Sequence, residues 1–320
     1  MRKIPAALVV LGLVTVGLTG CSLSGAASDC SRPTVSDPET MDLIDVTGET
    51  DAEPEVEVYT PFKAPELAFE DIVTGEGTAI TSTDQLVVID VALVSGVTGE
   101  PLVATPYDGD LTRVYPVSQW TQNFPAFEDA LDCATEGSRI AVALAPGDIA
   151  AESAASLGLA EDDSAVAVID LRKVYLPAAD GQDQFNSDRG MPMVVRAPDG
   201  RPGLIIPEGA APEELSIQTL KKGSGAEVTG EVPVRVHYTG VVWGQDEAFD
   251  STWDAQPASL TLDALVPGFA QALEGQTVGS QVLVVIPPEL GYGDQTQGTI
   301  PANSTLVFVV DILGLDAPVQ

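Results

Sequence analysis

The chain has 320 residues, 48 of them acidic and 14 basic, for a formal net charge of −34. Phosphate backbones demand clustered Lys and Arg, so this balance excludes a nucleic acid partner. The acidic residues are scattered, not blocked, and read as a soluble, self-repelling surface.

At the start, Met1-Arg2-Lys3 precedes an apolar run from Ile4 to Leu18. This charged-then-apolar order is that of a secretory signal, and the run is too short and glycine-spotted for a membrane span. It ends Leu18-Thr19-Gly20-Cys21. The expectation is a bacterial lipoprotein signal over 1–20, with lipid on Cys21 holding the protein at the extracytoplasmic face of the cell membrane. The other reading is an ordinary signal with an incidental cysteine. If Cys21 carries lipid, Cys30 and Cys133 are the only pair left to bridge in an oxidising compartment; the alternative is two independent thiols. Residues 21–55, rich in Ser, Asp, Thr, Glu and Pro, read as a flexible tether.

Residues 56–177 and 190–320 then follow a common layout, separated by a polar linker at 178–189. Phe124-Pro125-Ala126-Phe127-Glu128-Asp129-Ala130-Leu131 parallels Val266-Pro267-Gly268-Phe269-Ala270-Gln271-Ala272-Leu273. Gly137-Ser138 and Gly279-Ser280 follow at the same distance, then apolar runs Ile140 to Pro146 and Val282 to Pro288. Each half closes on a strand with aspartate at one point, Asp170 and Asp311. Gly75-Glu76-Gly77 parallels Gly223-Ser224-Gly225. Self-similarity on this scale indicates a duplicated domain. In the second copy, Val232–Tyr238, Ser259–Leu262, Gln281–Ile286 and Thr305–Leu313 read as strands. Pro267 to Leu273 reads as the one helix, with proline in its first turn, Phe269, Ala272 and Leu273 on one face, and Glu274-Gly275 ending it. The pattern predicts an α+β class.

Motifs of the second copy carry a specific resemblance. Val236-His237-Tyr238-Thr239-Gly240, Phe249-Asp250-Ser251-Thr252, Val266-Pro267-Gly268-Phe269, Ile286-Pro287-Pro288-Glu289-Leu290-Gly291-Tyr292-Gly293 and Ile300-Pro301-Ala302-Asn303-Ser304-Thr305-Leu306-Val307-Phe308 resemble, in order, the motifs of FKBP-type peptidyl-prolyl isomerases, the macrolide-binding immunophilins. The resemblance implies two FKBP-like domains, each a curved antiparallel β-sheet wrapped on one short α-helix. It implies a pocket walled by Tyr238, Phe249, Val266, Phe269, Ile300 and Phe308, with Phe269 at its floor. Asp250 and Tyr292 stand as polar rim groups bonding ligand carbonyls, and the Val266 N–H as a further donor. The implied ligands are proline-containing segments of exported proteins, and macrolides. Such catalysis requires no cofactor and no metal, since twisting an amide needs neither. Two departures bear on macrolide affinity and substrate preference: Ala258 stands where an aromatic is common, and the connection from Leu262 to Val266 is shorter than the usual form.

His237 is the only histidine and lies in an apparent strand. A Ser-His-Asp site would have to use it, but a packed strand residue is the simpler reading. With no Cys/His cluster there is no zinc pattern. In the first copy, Val91-Ala92-Leu93 replaces Tyr238-Thr239-Gly240, Leu102-Val103 replaces Phe249-Asp250, and Ala167 replaces Phe308, while Phe127 persists. That copy is expected to be folded and inactive, with Trp120, Phe124 and Phe127 in its core or, alternatively, lining a shallow chain-binding groove. The expected function is isomerase-assisted folding of exported proteins. The alternative is a non-catalytic chaperone or binding module of the cell envelope.

Overall fold

A computed structural model describes residues 30–185 and 190–318. The expected signal and its Cys21 lie outside the described residues. The chain forms two large antiparallel sheets, each with helix on one face. The first runs in the order Ala68–Val73, Arg139–Leu144, Ala165–Val174, Leu86–Ser95 and Pro101–Ala104. The second runs Ala248–Ser251, Val234–Val242, Leu306–Leu315, Gln281–Ile286, Ser216–Lys222 and Gln182–Asp183, with Ala258–Leu260 pairing to the far end of Val234–Val242. The expected α+β class with two FKBP-like domains is observed. The helix of the second copy spans Pro267–Leu273 and ends at Gly275, whose φ of 75° suits a residue without Cβ. The first copy carries Phe127–Leu131 at the same place and adds turns of helix at Val117–Thr121 and Ala151–Ser156.

The duplication holds in register. Asp170 faces Asp90 on one neighbour and Arg139 on the other; Asp311 faces His237 and Gln281. Alignment on these aspartates sets Val91, Ala92 and Leu93 at Tyr238, Thr239 and Gly240, Ala167 at Phe308, and Val103 at Asp250. Both copies bulge at the same step, Val88/Ile89 and Arg235/Val236. The paired Gly-x-Gly turns have one cause. A Cβ on Gly75 would lie 2.1 Å from the Glu136 carbonyl oxygen, and one on Gly223 would lie 2.1 Å from that of Val278. Thr135 and Thr277 each donate to the glycine carbonyl at 2.7 Å.

Each sheet's outer face is covered by a hairpin that the sequence pattern does not reveal. In the first copy it is Ile44–Thr47 with Glu55–Val58. Met41, Ile44, Val46 and Phe62 are buried against Ala68, Ala141, Ala143, Val166 and Val168. In the second it is Met193–Arg196 with Pro202–Ile205, whose Val194 and Leu204 pack on Val241, Leu283, Val285, Val307 and Val309. The expected flexible tether over 21–55 is therefore corrected. From Cys30 onward the chain is fastened to the first sheet, because every other hairpin residue is apolar and the sheet face beneath is built of alanine and valine. Arg139 donates to the carbonyls of Gly48 and Ala52, at 2.9 and 2.8 Å, and pins the hairpin turn. Cys30 and Cys133 form a disulfide closing 103 residues. The expected linker at 178–189 is corrected likewise over its described residues, 178–185. Gln182–Asp183 pairs with Lys221 and Lys222, and Ala179 is buried with its N–H on Asp311 at 2.8 Å.

Candidate active site

The sequence motifs meet on the helix-facing side of the second sheet. Period-two alternation turns Val234, Val236 and Tyr238 inward and His237 outward. Phe269, Ile300 and Phe308 are buried in one cluster, and Tyr238, Phe249, Val266 and Tyr292 pack against it. Phe269, from the helix, stacks on Phe308, from the central strand, with centroids 4.6 Å apart and planes at 10°. Tyr238 stands edge-on to both at 6.1 Å, and Phe249 edge-on to Phe308 at 5.5 Å. Such offset and edge contacts fix ring positions beyond simple area burial. The pattern thus brings all seven expected apolar or aromatic residues together, and Asp250 joins them by accepting a hydrogen bond from the Tyr238 hydroxyl at 2.5 Å.

Two glycines outside the expected set of site residues make this packing possible. A Cβ on Gly240 would come within 2.7 Å of both the Phe249 and the Phe308 rings, and one on Gly268 would meet Ile286 at 2.5 Å. Gly240 lets the rings lie on the strand, and Gly268 lets the helix close onto the sheet. Their place inside the motifs was the signal.

Polar groups ring the aromatic floor. Burial, then the hydrogen bond and charge of Asp250, then Tyr292, push the Tyr238 hydroxyl above its ordinary pKa, so it stays a donor. A carboxylate accepts and cannot donate. Asp250, already accepting from the Tyr238 hydroxyl, keeps further acceptor capacity. Among the described residues neither the Val266 N–H nor the Tyr292 hydroxyl has a hydrogen-bond acceptor. Pro267 starts the helix and needs no N–H, so Val266 becomes the N-cap.

His237 does not join the site. It stacks on Trp253 at 4.5 Å, and its Nδ1 lies 2.9 Å from the Thr252 hydroxyl. Burial and the nearby Arg201 guanidinium push its pKa down to about 4, leaving a neutral packed ring. Thr252 also accepts from the Tyr238 N–H at 2.9 Å, so the pair holds the strand that carries Tyr238. Among the described residues no group of His, Cys, Asp and Glu could hold a metal ion.

The family model of FKBP-type peptidyl-prolyl cis-trans isomerases matches residues 225–313. A probable FK506-binding protein of Corynebacterium glutamicum is 38% identical over 114 residues, covering 35% of this chain and 97% of that one. The isomerase FkpA of Aeromonas hydrophila is 37% identical over 105 residues, covering 32% of this chain and 39% of that one. The crystal structure of FkpA from Escherichia coli aligns at 30% identity and a TM-score of 0.31, covering 40% of this chain and 53% of that one. The chain belongs to the FKBP-type peptidyl-prolyl cis-trans isomerase family, and its isomerase domain is the C-terminal one.

Proposed function

We propose that the protein accelerates cis–trans isomerisation of X–Pro bonds in exported polypeptides, at the outer face of the cell membrane, from the pocket around Phe269 and Phe308. An X–Pro bond favours trans by only ~0.5–1 kcal/mol, yet amide resonance sets a rotation barrier of ~20 kcal/mol. A catalyst has only to favour the twisted amide. The stacked Phe269 and Phe308 rings offer an apolar seat for the pyrrolidine. Tyr238, Phe249 and Ile300 exclude water from the amide, whose resonance form is the more strongly hydrated. Val266 N–H and the Tyr292 hydroxyl hold flanking carbonyls, and the Asp250 carboxylate faces the changing amide dipole. The observation that carries this reading is the convergence of one helix, three strands and their connecting loops on a single aromatic seat with an acidic rim. The extracytoplasmic site rests on the signal pattern ending at Cys21 and on the Cys30–Cys133 disulfide, since disulfides persist in oxidising compartments.

The first copy is folded and inactive in this reading. Leu93, not glycine, stands at the place of Gly240, and Phe124 stacks on Phe127 at 4.8 Å, filling the seat from within. Trp120 and Phe124 pack against its core.

A second reading, chain binding without catalysis, is favoured by one observation. The outer residues of the first hairpin are Asp45, Thr47, Glu55 and Glu57, whereas the second exposes Met193 at 62%, Val195 at 54% and Ile205 at 48%. Refolding of a proline-limited substrate by the full chain separates the two. Asp250→Ala and Phe269→Ala are each expected to reduce acceleration about tenfold or more, leaving aggregation suppression in place. Wild-type protein that gives only the uncatalysed rate would sink the isomerase reading.

A further inference from the structure

Tyr175 directly follows the closing strand of the first sheet, Ala165–Val174, and is 1% exposed. The first copy fixes its backbone: its N–H donates to Leu86 O at 2.9 Å, and its carbonyl accepts from buried Gln85 at 2.8 Å. Its ring, however, lies on the second copy. A Cβ on Gly314 would come within 2.5 Å of it, so glycine there admits the ring onto the final strand. The Leu176 N–H donates to Leu313 O at 3.1 Å alongside. The Tyr175 hydroxyl donates to Asp316 at 2.8 Å. Asp316 also accepts from Arg235, at 3.1 and 2.8 Å, and from the Ser259 hydroxyl. Arg235 reaches on to the carbonyl of Pro257 at 3.3 Å, and its guanidinium sits 5.5 Å over the Tyr175 ring.

Pro257 and Ser259 flank Ala258, and Ala258 and Leu260 pack against the pocket cluster. Ala258 offers that cluster only a methyl group. This stretch of wall is instead held from behind, by a charge-assisted network whose outermost member comes from the other copy. We propose that Tyr175 is a positioning residue for the prolyl pocket, acting through Asp316 on the wall strand Ala258–Leu260. The otherwise inactive copy thereby sets the wall that meets the residues flanking proline. The inference rests on the isomerase reading of the pocket for its catalytic consequence, but not for its mechanical one.

The test uses the full chain with Tyr175→Phe, Ser259→Ala and the double variant, read by two measurements. In a peptide panel varying the residue before proline, Tyr175→Phe is expected to lower kcat/KM about threefold to tenfold, mostly through KM, and to reorder the panel. The double variant should fall no further than the worse single one, since network members do not add. Amide hydrogen exchange is expected to quicken at Ala258–Leu260 in Tyr175→Phe while the strand Gln281–Ile286 keeps its protection. Unchanged exchange at Ala258–Leu260 overturns the proposal whether or not the protein is active, as does a uniform rise across the domain. Wild-type protein without activity defeats the isomerase reading and leaves the exchange measurement to decide this one.

Discussion

The two copies share registers, bulges and turns, yet opposite elements supply the ring that covers the floor phenylalanine. In the second copy the sheet supplies it, with Phe308 stacked on Phe269 at 4.6 Å. In the first, the sheet position is Ala167, and the ring arrives from the helix entrance as Phe124, stacked on Phe127 at 4.8 Å. Leu93, 1% exposed, fills the space that Gly240 leaves open for the Phe249 and Phe308 rings. A stack completed from the sheet and one completed from the helix entrance are thus alternative packings of one scaffold. One ring moves between elements, leucine replaces glycine, and Val91 and Val103 stand at the places of Tyr238 and Asp250, yet the interior stays packed.

The comparison breaks hardest at the buried aspartates. Asp170 forms a two-pronged ion pair with Arg139 at 2.7 and 2.8 Å, both side chains 1% exposed. At the same place in the second copy, Asp311 accepts from Gln281 at 2.7 Å. Removing one partner of a buried pair leaves an uncompensated charge, so Arg139→Ala is expected to cost about 3–5 kcal/mol. The carbonyls of Gly48 and Ala52 would also lose their donor. Arg139→Gln reproduces the second copy's arrangement and should recover roughly 1–2 kcal/mol of that loss. Urea unfolding of the three proteins measures this. Equal losses for the two variants would mean that the hairpin carbonyls, and not the pairing with Asp170, dominate.

The disulfide marks the next difference. Cys133 occupies the place of Gly275, just past the helix, and both adopt positive φ, 60° and 75°. Glycine takes this conformation without cost; a residue with Cβ does not. Closing 103 residues is worth at most about 4.7 kcal/mol in the chain-entropy model and commonly 2–4. Cys30→Ser should lose that stabilisation and keep the unfavourable φ at Cys133. Cys133→Gly should lose the bridge but regain up to about 1 kcal/mol. Thermal unfolding under identical buffer gives the order, and Cys133→Gly falling below Cys30→Ser would contradict it.

What the sequence made legible was local or motif-borne. The helix Pro267–Leu273 announces itself by proline at its start, a one-sided apolar face and Gly275 at its end. That the eight expected site residues come together was legible because their motifs stand in family order, although each alone reads as core or turn. The outer hairpins were hidden because half of each strand faces water, and in the first copy that half is acidic. The surface they cover comes from strands far away in sequence, with alanines that carry little hydrophobic signal. The Tyr175–Asp316 contact spans 141 positions and rests on Gly314, whose role exists only once a ring lies against it.

The smallest effect tests the aspartates again, now by pH. Asp311 has neutral Gln281 beside it and the Ala179 N–H on its other oxygen. Burial pushes its pKa up to about 6, only partly offset by these two hydrogen bonds and, more weakly, by Lys221 and Arg196. In the unfolded chain the same carboxyl titrates near its ordinary 3.8. Between those values the folded state holds the proton and the unfolded state has released it, so stability falls as pH rises. The contribution is fully present below about 4 and is lost as pH climbs through about 6, at no more than ~1.4 kcal/mol per pH unit. Asp311→Asn, which cannot titrate, should unfold with a flatter pH dependence over this window, the two stability curves lying closest near pH 4 and separating towards pH 7 as the wild type loses stability. Parallel curves between pH 4 and 7 would show that Asp311 enters the fold already ionised, held like Asp170 by cations rather than by its proton.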